Sequence, residues 1–170
     1  MKTKIFFFVF FKISIVGYTQ PMKDPFHGNE TPTYHDLIQE YQQIDSQSEY
    51  AKLIEFGISD VGKPLHLLII DKDGNFEANS ETTQSKTIVL INNGIHPGES
   101  CGIDASILLA NEILDEQSKL HKLLEDVIVL IIPAYNIGGM LNRNSYSRAN
   151  QNGPAEYGFR GNAKNLDLNR

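Results

Sequence analysis

The chain is 170 residues long, 41% hydrophobic and 21% charged, a composition that excludes a disordered or collagenous protein and suffices for one globular domain. Its 15 basic and 21 acidic residues give a formal charge of -6 without long single-sign blocks, which argues against a nucleic-acid-binding surface. The single cysteine, Cys101, excludes an internal disulfide framework and a cysteine-rich zinc module.

Residues 1–20, MKTKIFFFVFFKISIVGYTQ, set Lys2 and Lys4 ahead of an apolar run from Ile5 to Phe11. That order is the grammar of an export signal, and the run, interrupted by Lys12, is too short to span a bilayer. A secreted or periplasmic protein is expected, with a membrane anchor the weaker reading. Residues 21–33 are a polar, proline-bearing approach segment, after which TPTYHD can open a helix.

From Tyr34 to about Tyr50, Leu37, Ile38, Tyr41 and Ile44 recur at helical spacing. A short apolar stretch, Ala51 to Phe56, leads to a turn around Gly62 and Pro64, which separates two expected strands, the second from Leu65 to Asp71. A hydrophilic loop follows. Thr87 to Asn92, TIVLIN, is β-branched and apolar throughout, as expected of a strand covered on both faces. Cys101 to Glu116 carries Ile103, Ile107, Leu108, Leu109 and Ile113 at helical intervals, and Val127 to Pro133, VIVLIIP, is another buried-type strand. Strand, helix and strand at these lengths imply a parallel crossover and an α/β domain. Ala134 to Arg170 is rich in Asn, Gly and Arg with little apolar periodicity, the kind of long irregular segment that is usually functional or disordered. It ends in NLDLNR, whose alternation resembles the start of another strand, so the chain reads as cut short.

Between the TIVLIN strand and the following helix stands GIHPGES, with His96 and Glu99 three positions apart. His27 and Glu30 share that spacing but lie in a polar segment with no strand before them, and read as solvated. His96 and Glu99 instead occupy the carboxyl end of a strand and the head of a helix, where open α/β sheets bind ligands. Pro97 and Gly98 allow a tight turn between them. Imidazole nitrogen and carboxylate oxygen suit zinc, which in catalytic sites takes three protein ligands and water. A third ligand is not evident: His66 lies in a strand, His121 at a helix end or surface turn, and His35 in the first helix in a capping or solvent-facing role. Spacing alone leaves a metal pair and an ordinary loop pair both open.

Three motifs in order, HPGE after an apolar strand, IPAYNIGG and NLDLNR, together with the upstream GKPLHLLII, resemble the carboxypeptidase A-like zinc metallocarboxypeptidases over roughly Tyr34 to Arg170. The resemblance implies an α/β fold with a mixed, largely parallel central sheet flanked by helices, of which 34–170 is the amino-terminal portion. It implies Zn2+ as cofactor, with His96 and Glu99 as ligands, and a peptide or peptide-like substrate with a free carboxylate held by Asn169 and Arg170. An arginine that polarises the scissile carbonyl is assigned to Arg160, with Arg148 as runner-up.

The family's third zinc ligand, a histidine, and its general-base glutamate follow the NLDLNR position, and neither is present here. Gly138 stands where the family carries an aspartate, and Gly98 where it carries an arginine between the two ligands. The isolated chain is therefore expected to lack peptidase turnover and to expose strand edges. Two further readings stay open: an N-acyl amino acid deacylase-type zinc hydrolase, and a non-catalytic truncated remnant that binds zinc or carboxylate-bearing peptides without cleaving them.

Overall fold

The computed structural model describes residues 29–78 and 85–170. The expected leader over 1–20, most of the approach segment and His27 lie outside the described residues. No helix among those described is long and apolar enough to cross a membrane.

Helix α1 (Tyr34–Gln47) opens on Thr33, whose hydroxyl accepts the Asp36 N–H while Asp36 accepts the Thr33 N–H. This reciprocal cap satisfies two of the helix's free donors. Leu37, Ile38, Tyr41 and Ile44 are its buried stripe, as their spacing predicts. His35 is exposed. The helix stops at Ser48, where the backbone becomes extended, and β1 (Ala51–Ile58) pairs antiparallel with β2 (Pro64–Ile70) through the turn at Gly62, φ 74°.

β2 pairs antiparallel with β4 (Val127–Ile132), and β4 pairs parallel with β3 (Thr87–Asn92), giving the order β1-β2-β4-β3. The sheet is mixed, with parallel pairing at the β3–α2–β4 crossover, where α2 spans Cys101–Leu114. A single core joins Leu37 and Tyr41 of α1, Leu68 and Ile70 of β2, Ile103 and Ile107 of α2, and Ile131 of β4. Each such side chain contributes about 1.5–3 kcal/mol on burial.

Two expectations are corrected. β3 is not covered on both faces: Ile88, Val89 and Leu90 are 52%, 42% and 58% exposed. The strand order places it at an edge, so among the described residues it has a neighbour on one side only. His121 is not on a surface turn. It lies in a 3-10 segment (Lys119–Glu125), is 8% exposed, and its Nδ1 is 2.9 Å from Ile113 O.

His66 is buried in β2, 3.8 Å from Glu55. Burial holds its imidazole below the ordinary 6.5, and the Glu55 charge only partly offsets this. The unfolded chain thus takes up a proton at higher pH than the folded one, and stability rises with pH between the two values. Lowering the pH from about 7.5 to about 5.5 is expected to lower the urea midpoint, and His66→Leu to flatten that dependence. An unchanged slope in the variant would refute the assignment.

Candidate active site

β3 delivers the chain to the site. Asn93 extends the ladder by donating its N–H to Ile132 O at 3.1 Å, and its side chain donates to Ser106 Oγ of α2 at 2.9 Å. Gly94 then takes φ 64°, a left-handed backbone conformation that favours glycine. The Glu99 N–H closes a turn on His96 O at 2.8 Å. The turn brings the two side chains together: His96 Nδ1 lies 3.7 Å from Glu99 Oε1.

The other ring nitrogen, Nε2, lies 2.9 Å from Asp167 Oδ1. A carboxylate in that position favours the proton on Nε2 and turns the Nδ1 lone pair toward Glu99. Asp167 also accepts the Asn169 N–H at 2.9 Å and Arg160 Nε at 2.8 Å. The His96 hydrogen bond first, then those of Asn169 and Arg160, hold its carboxyl well below the usual range despite some desolvation.

Glu99 is the meeting point of two guanidiniums, Arg148 Nη2 at 2.9 Å and Arg160 Nη1 at 3.6 Å, on the same Oε1. Burial pushes its pKa up, but Arg148, then His96 and Arg160, outweigh that and hold it below the ordinary value. Both candidate arginines are therefore brought to the pair.

The Asn136 of IPAYNIGG is a buried hub at 1% exposure. Its Oδ1 accepts the Gly139 N–H at 2.8 Å, opening the short helix α3 (Ile137–Leu141). Its Nδ2 donates to Ile95 O at 3.2 Å and Arg160 O at 3.1 Å. One side chain so ties the turn before His96 to the segment that carries Arg160. Gly139 makes room for it: a Cβ there would stand 2.5 Å from Phe159 O and 2.7 Å from Gly161 O.

The two glycines that depart from the family pattern have their side-chain space filled from elsewhere. A Cβ on Gly138 would stand 2.9 Å from both Asp60 carboxylate oxygens, and Asp60 accepts the Ala163 N–H at 2.7 Å. A Cβ on Gly98 would meet Gly158 O at 2.7 Å and Arg148 Cδ at 2.8 Å.

NLDLNR is not a strand. Asn162 Oδ1 accepts the N–H groups of Lys164 and Leu166, Asn162 N–H donates to Leu166 O, and Asn165 has φ 58°. These bonds close a turn and occupy the polar groups that a ladder would need. Leu166 and Leu168 are exposed. Asn169 and Arg170 follow Asp167 at the surface, and Arg170 Nη1 donates to Asn169 O at 3.0 Å.

His96 and Glu99 offer zinc the nitrogen and oxygen donors it accepts, with the imidazole braced from behind as metal-bound histidines are. The donor types fit, and the count is two. Among the described residues no group of three or more His, Cys, Asp or Glu is placed to hold a metal ion.

The sequence reading left Asp167, Asp60 and Tyr157 without a role. Asp167 stands in the sequence within the NLDLNR motif, where nothing local shows that its carboxylate meets His96. Tyr157, 3% exposed, donates to Ser145 O and Arg148 O at 2.9 and 3.1 Å and anchors the loop behind Arg148.

Several solved structures share the fold. A candidate carboxypeptidase A from Shewanella denitrificans matches with TM-score 0.62 at 20% identity, over 80% of this chain and 30% of its own. A metallo-carboxypeptidase from Burkholderia cenocepacia gives 0.59 at 21%, over 81% and 32%. Carboxypeptidase A from Helicoverpa armigera gives 0.57 at 18%, over 67% and 26%. The chain thus spans about a third or less of the length of these structures. Among curated proteins none matches. The zinc carboxypeptidase family model matches residues 34–170, most of the chain and all three motifs around the site, and the chain belongs to that family.

Proposed function

We propose that residues 34–170 are the amino-terminal portion of a zinc-dependent carboxypeptidase domain, behind an export signal over 1–20 and an approach segment over 21–33. In this reading the protein is secreted or periplasmic and hydrolyses the peptide bond next to a free carboxy-terminal carboxylate. The observation that carries it is the orientation of His96, braced through Nε2 by Asp167 at 2.9 Å with Nδ1 facing Glu99 at 3.7 Å. An ordinary loop pair has no need of a carboxylate behind the ring.

His96 and Glu99 would hold the zinc ion, which supplies a Lewis acid and a bound water of lowered pKa. Arg160 is fixed through Nε on Asp167 and has Nη1 3.6 Å from Glu99, which leaves Nη2 to meet negative charge developing on a carbonyl oxygen. Arg148 reaches the same carboxylate and is the runner-up for that task. Arg170, beside Asn169, offers a planar fork suited to both oxygens of a terminal carboxylate. Catalysis also needs a third metal ligand and a general base, which the described residues do not bring to this site.

With zinc present, the chain is expected to bind N-acetyl-glutaminyl-phenylalanine at least about tenfold more tightly than its carboxamide, since a charge-assisted bidentate pair is lost with the acid. It should not turn the peptide over. Equal affinity for acid and amide would overturn the carboxylate-recognition reading. Zinc-dependent release of phenylalanine by the 170-residue chain would overturn the two-ligand count.

A further inference from the structure

Beside the His96–Glu99 pair lies a recess of about 430 Å3 lined by Ser147, Arg148, Ala149, Asn150, Gln151 and Arg160. We propose that it is a subsite for a second carboxylate of the substrate, close to the scissile bond, with Arg148 as the residue that sets this specificity. The inference rests on the carboxypeptidase reading and names a substrate class within it.

The lining supplies the first argument. Two guanidiniums and the Asn150 amide share one space with the Ser147 hydroxyl and the Gln151 amide, whose own donors are held by the backbone and Asn144, and no acidic residue is among the lining. This concentration of donors occurs in a chain whose formal charge is -6, so it is a local feature and not part of a general basic surface.

The second argument is that Arg148 is built into place. Its carbonyl accepts from the buried Tyr157 hydroxyl at 3.1 Å. Its side chain crosses Gly98, where a Cβ would meet Cδ at 2.8 Å, so a larger residue at 98 would displace it. The neighbouring Gln151 side chain donates to Gly98 O at 2.7 Å and Gly153 O at 2.9 Å, strapping the loop across the same turn. An arginine free at the surface has none of these restraints.

The third argument is unused donor capacity. A guanidinium carries five N–H donors, and Arg148 spends one hydrogen bond on Glu99. Its Nη1 is packed over Gly98, buried and without a hydrogen-bond partner, so the guanidinium is not saturated by the protein. Arg160, on the same wall, has its Nε on Asp167 and Nη1 3.6 Å from Glu99, so it adds positive charge beside the recess and leaves Arg148 as the donor to the second carboxylate. A carboxylate is the planar acceptor that such forks match.

The test compares N-acetyl-glutamyl-phenylalanine with the isosteric N-acetyl-glutaminyl-phenylalanine by calorimetry on the full chain with zinc. The glutamyl peptide is expected to bind about tenfold more tightly, the gain of a charge-assisted contact. Arg148→Ala is expected to bring that ratio close to one. Arg148→Met keeps a stem across Gly98 and removes the charge, so it carries the test should the alanine variant unfold. A ratio near one in the unsubstituted chain, with both peptides bound, overturns the subsite and leaves the carboxypeptidase reading standing. A ratio that survives loss of the Arg148 charge also overturns it. Failure of both peptides to bind overturns the two readings together.

Discussion

Replacing Lys86 by methionine is expected to destabilise the protein by about 3–5 kcal/mol, the cost of leaving a buried charge without its partner. Lys86 Nζ contacts Asp71 Oδ1 at 2.6 Å, Asp73 Oδ2 at 2.8 Å and Leu124 O at 3.2 Å. Its side chain is 8% exposed and that of Asp71 is fully buried. Asp71 Oδ2 has no hydrogen-bond partner and Oδ1 has, besides the ammonium, only the distant Asp73 N–H at 3.4 Å, so no other cation replaces Lys86. The loss is a large share of a typical total stability of about 5–15 kcal/mol. Burial pulls the Lys86 pKa down, but the hydrogen bonds and charges of Asp71 and Asp73 outweigh it and raise the pKa above 10.5. Stability from this pair is then fully present below that ordinary value and is lost as pH rises through the folded-state pKa. Guanidinium unfolding of Lys86→Met and of a Lys86→Met/Asp71→Leu double variant separates the causes. The double variant should recover most of the loss, because replacing a whole buried pair by apolar groups is often neutral. Equal instability of the two would show that packing, not the stranded charge, is responsible. The pair matters for the site because it joins Asp71, just after β2, and the 3-10 segment before β4 to Lys86, the residue before β3, the strand that leads to the His96 turn.

The parts of this architecture that were legible from sequence are those with local periodicity. Leu37, Ile38, Tyr41 and Ile44 announce α1 because a helix brings positions three and four apart to one face, and all four are buried. TIVLIN and VIVLII mark β3 and β4, and their separation by one helix is enough to infer the parallel crossover. The position of His96 and Glu99 at that strand's end follows from the same reading. What failed depends on partners distant in the chain. The apolar run of β3 predicted cover on both faces, but cover depends on which elements pack over each face, and Ile88 and Leu90 on one side and Val89 on the other stay exposed in a strand that also lies at the sheet's edge. Asp167 lies 71 residues from His96, and its alternating neighbours Leu166 and Leu168 suggested a strand because no local pattern reveals that Asn162 closes a turn there. Arg148 and Asp60 fill the spaces above Gly98 and Gly138 from 50 and 78 residues away in the chain. A glycine in place of a larger residue is visible in sequence, whereas what occupies the space it leaves is not.

Zinc affinity is expected to fall in a set order across three substitutions at the site, with Asp167→Asn mildest, Asp167→Ala intermediate and His96→Ala most severe. His96→Ala deletes the imidazole, one of two donors that the described residues supply, so binding should fall below detection. Asp167→Ala leaves both donors and removes the group that sets the ring's tautomer and orientation. Losses of this kind typically cost about 10–100-fold in metal affinity. An asparagine at 167 can still accept from Nε2–H through its amide oxygen but brings no charge to make the imidazole more basic, so it should retain part of that factor. It also gives up the charge-assisted bond from Arg160 Nε, now 2.8 Å long, which loosens an arginine assigned to the carbonyl oxygen. Competition against a chromophoric chelator reads these affinities directly, and thermal unfolding of each variant separates loss of the ligand from loss of the fold. Zinc bound by His96→Ala as tightly as by the unsubstituted chain would remove His96 from the metal site. Equal affinity in all three Asp167 forms would show that the 2.9 Å contact with Nε2 braces the turn and does nothing for the metal. The graded outcome is the one that follows when a ring is held from behind by a carboxylate that stays ionised well into the acid range, with its other nitrogen directed at Glu99.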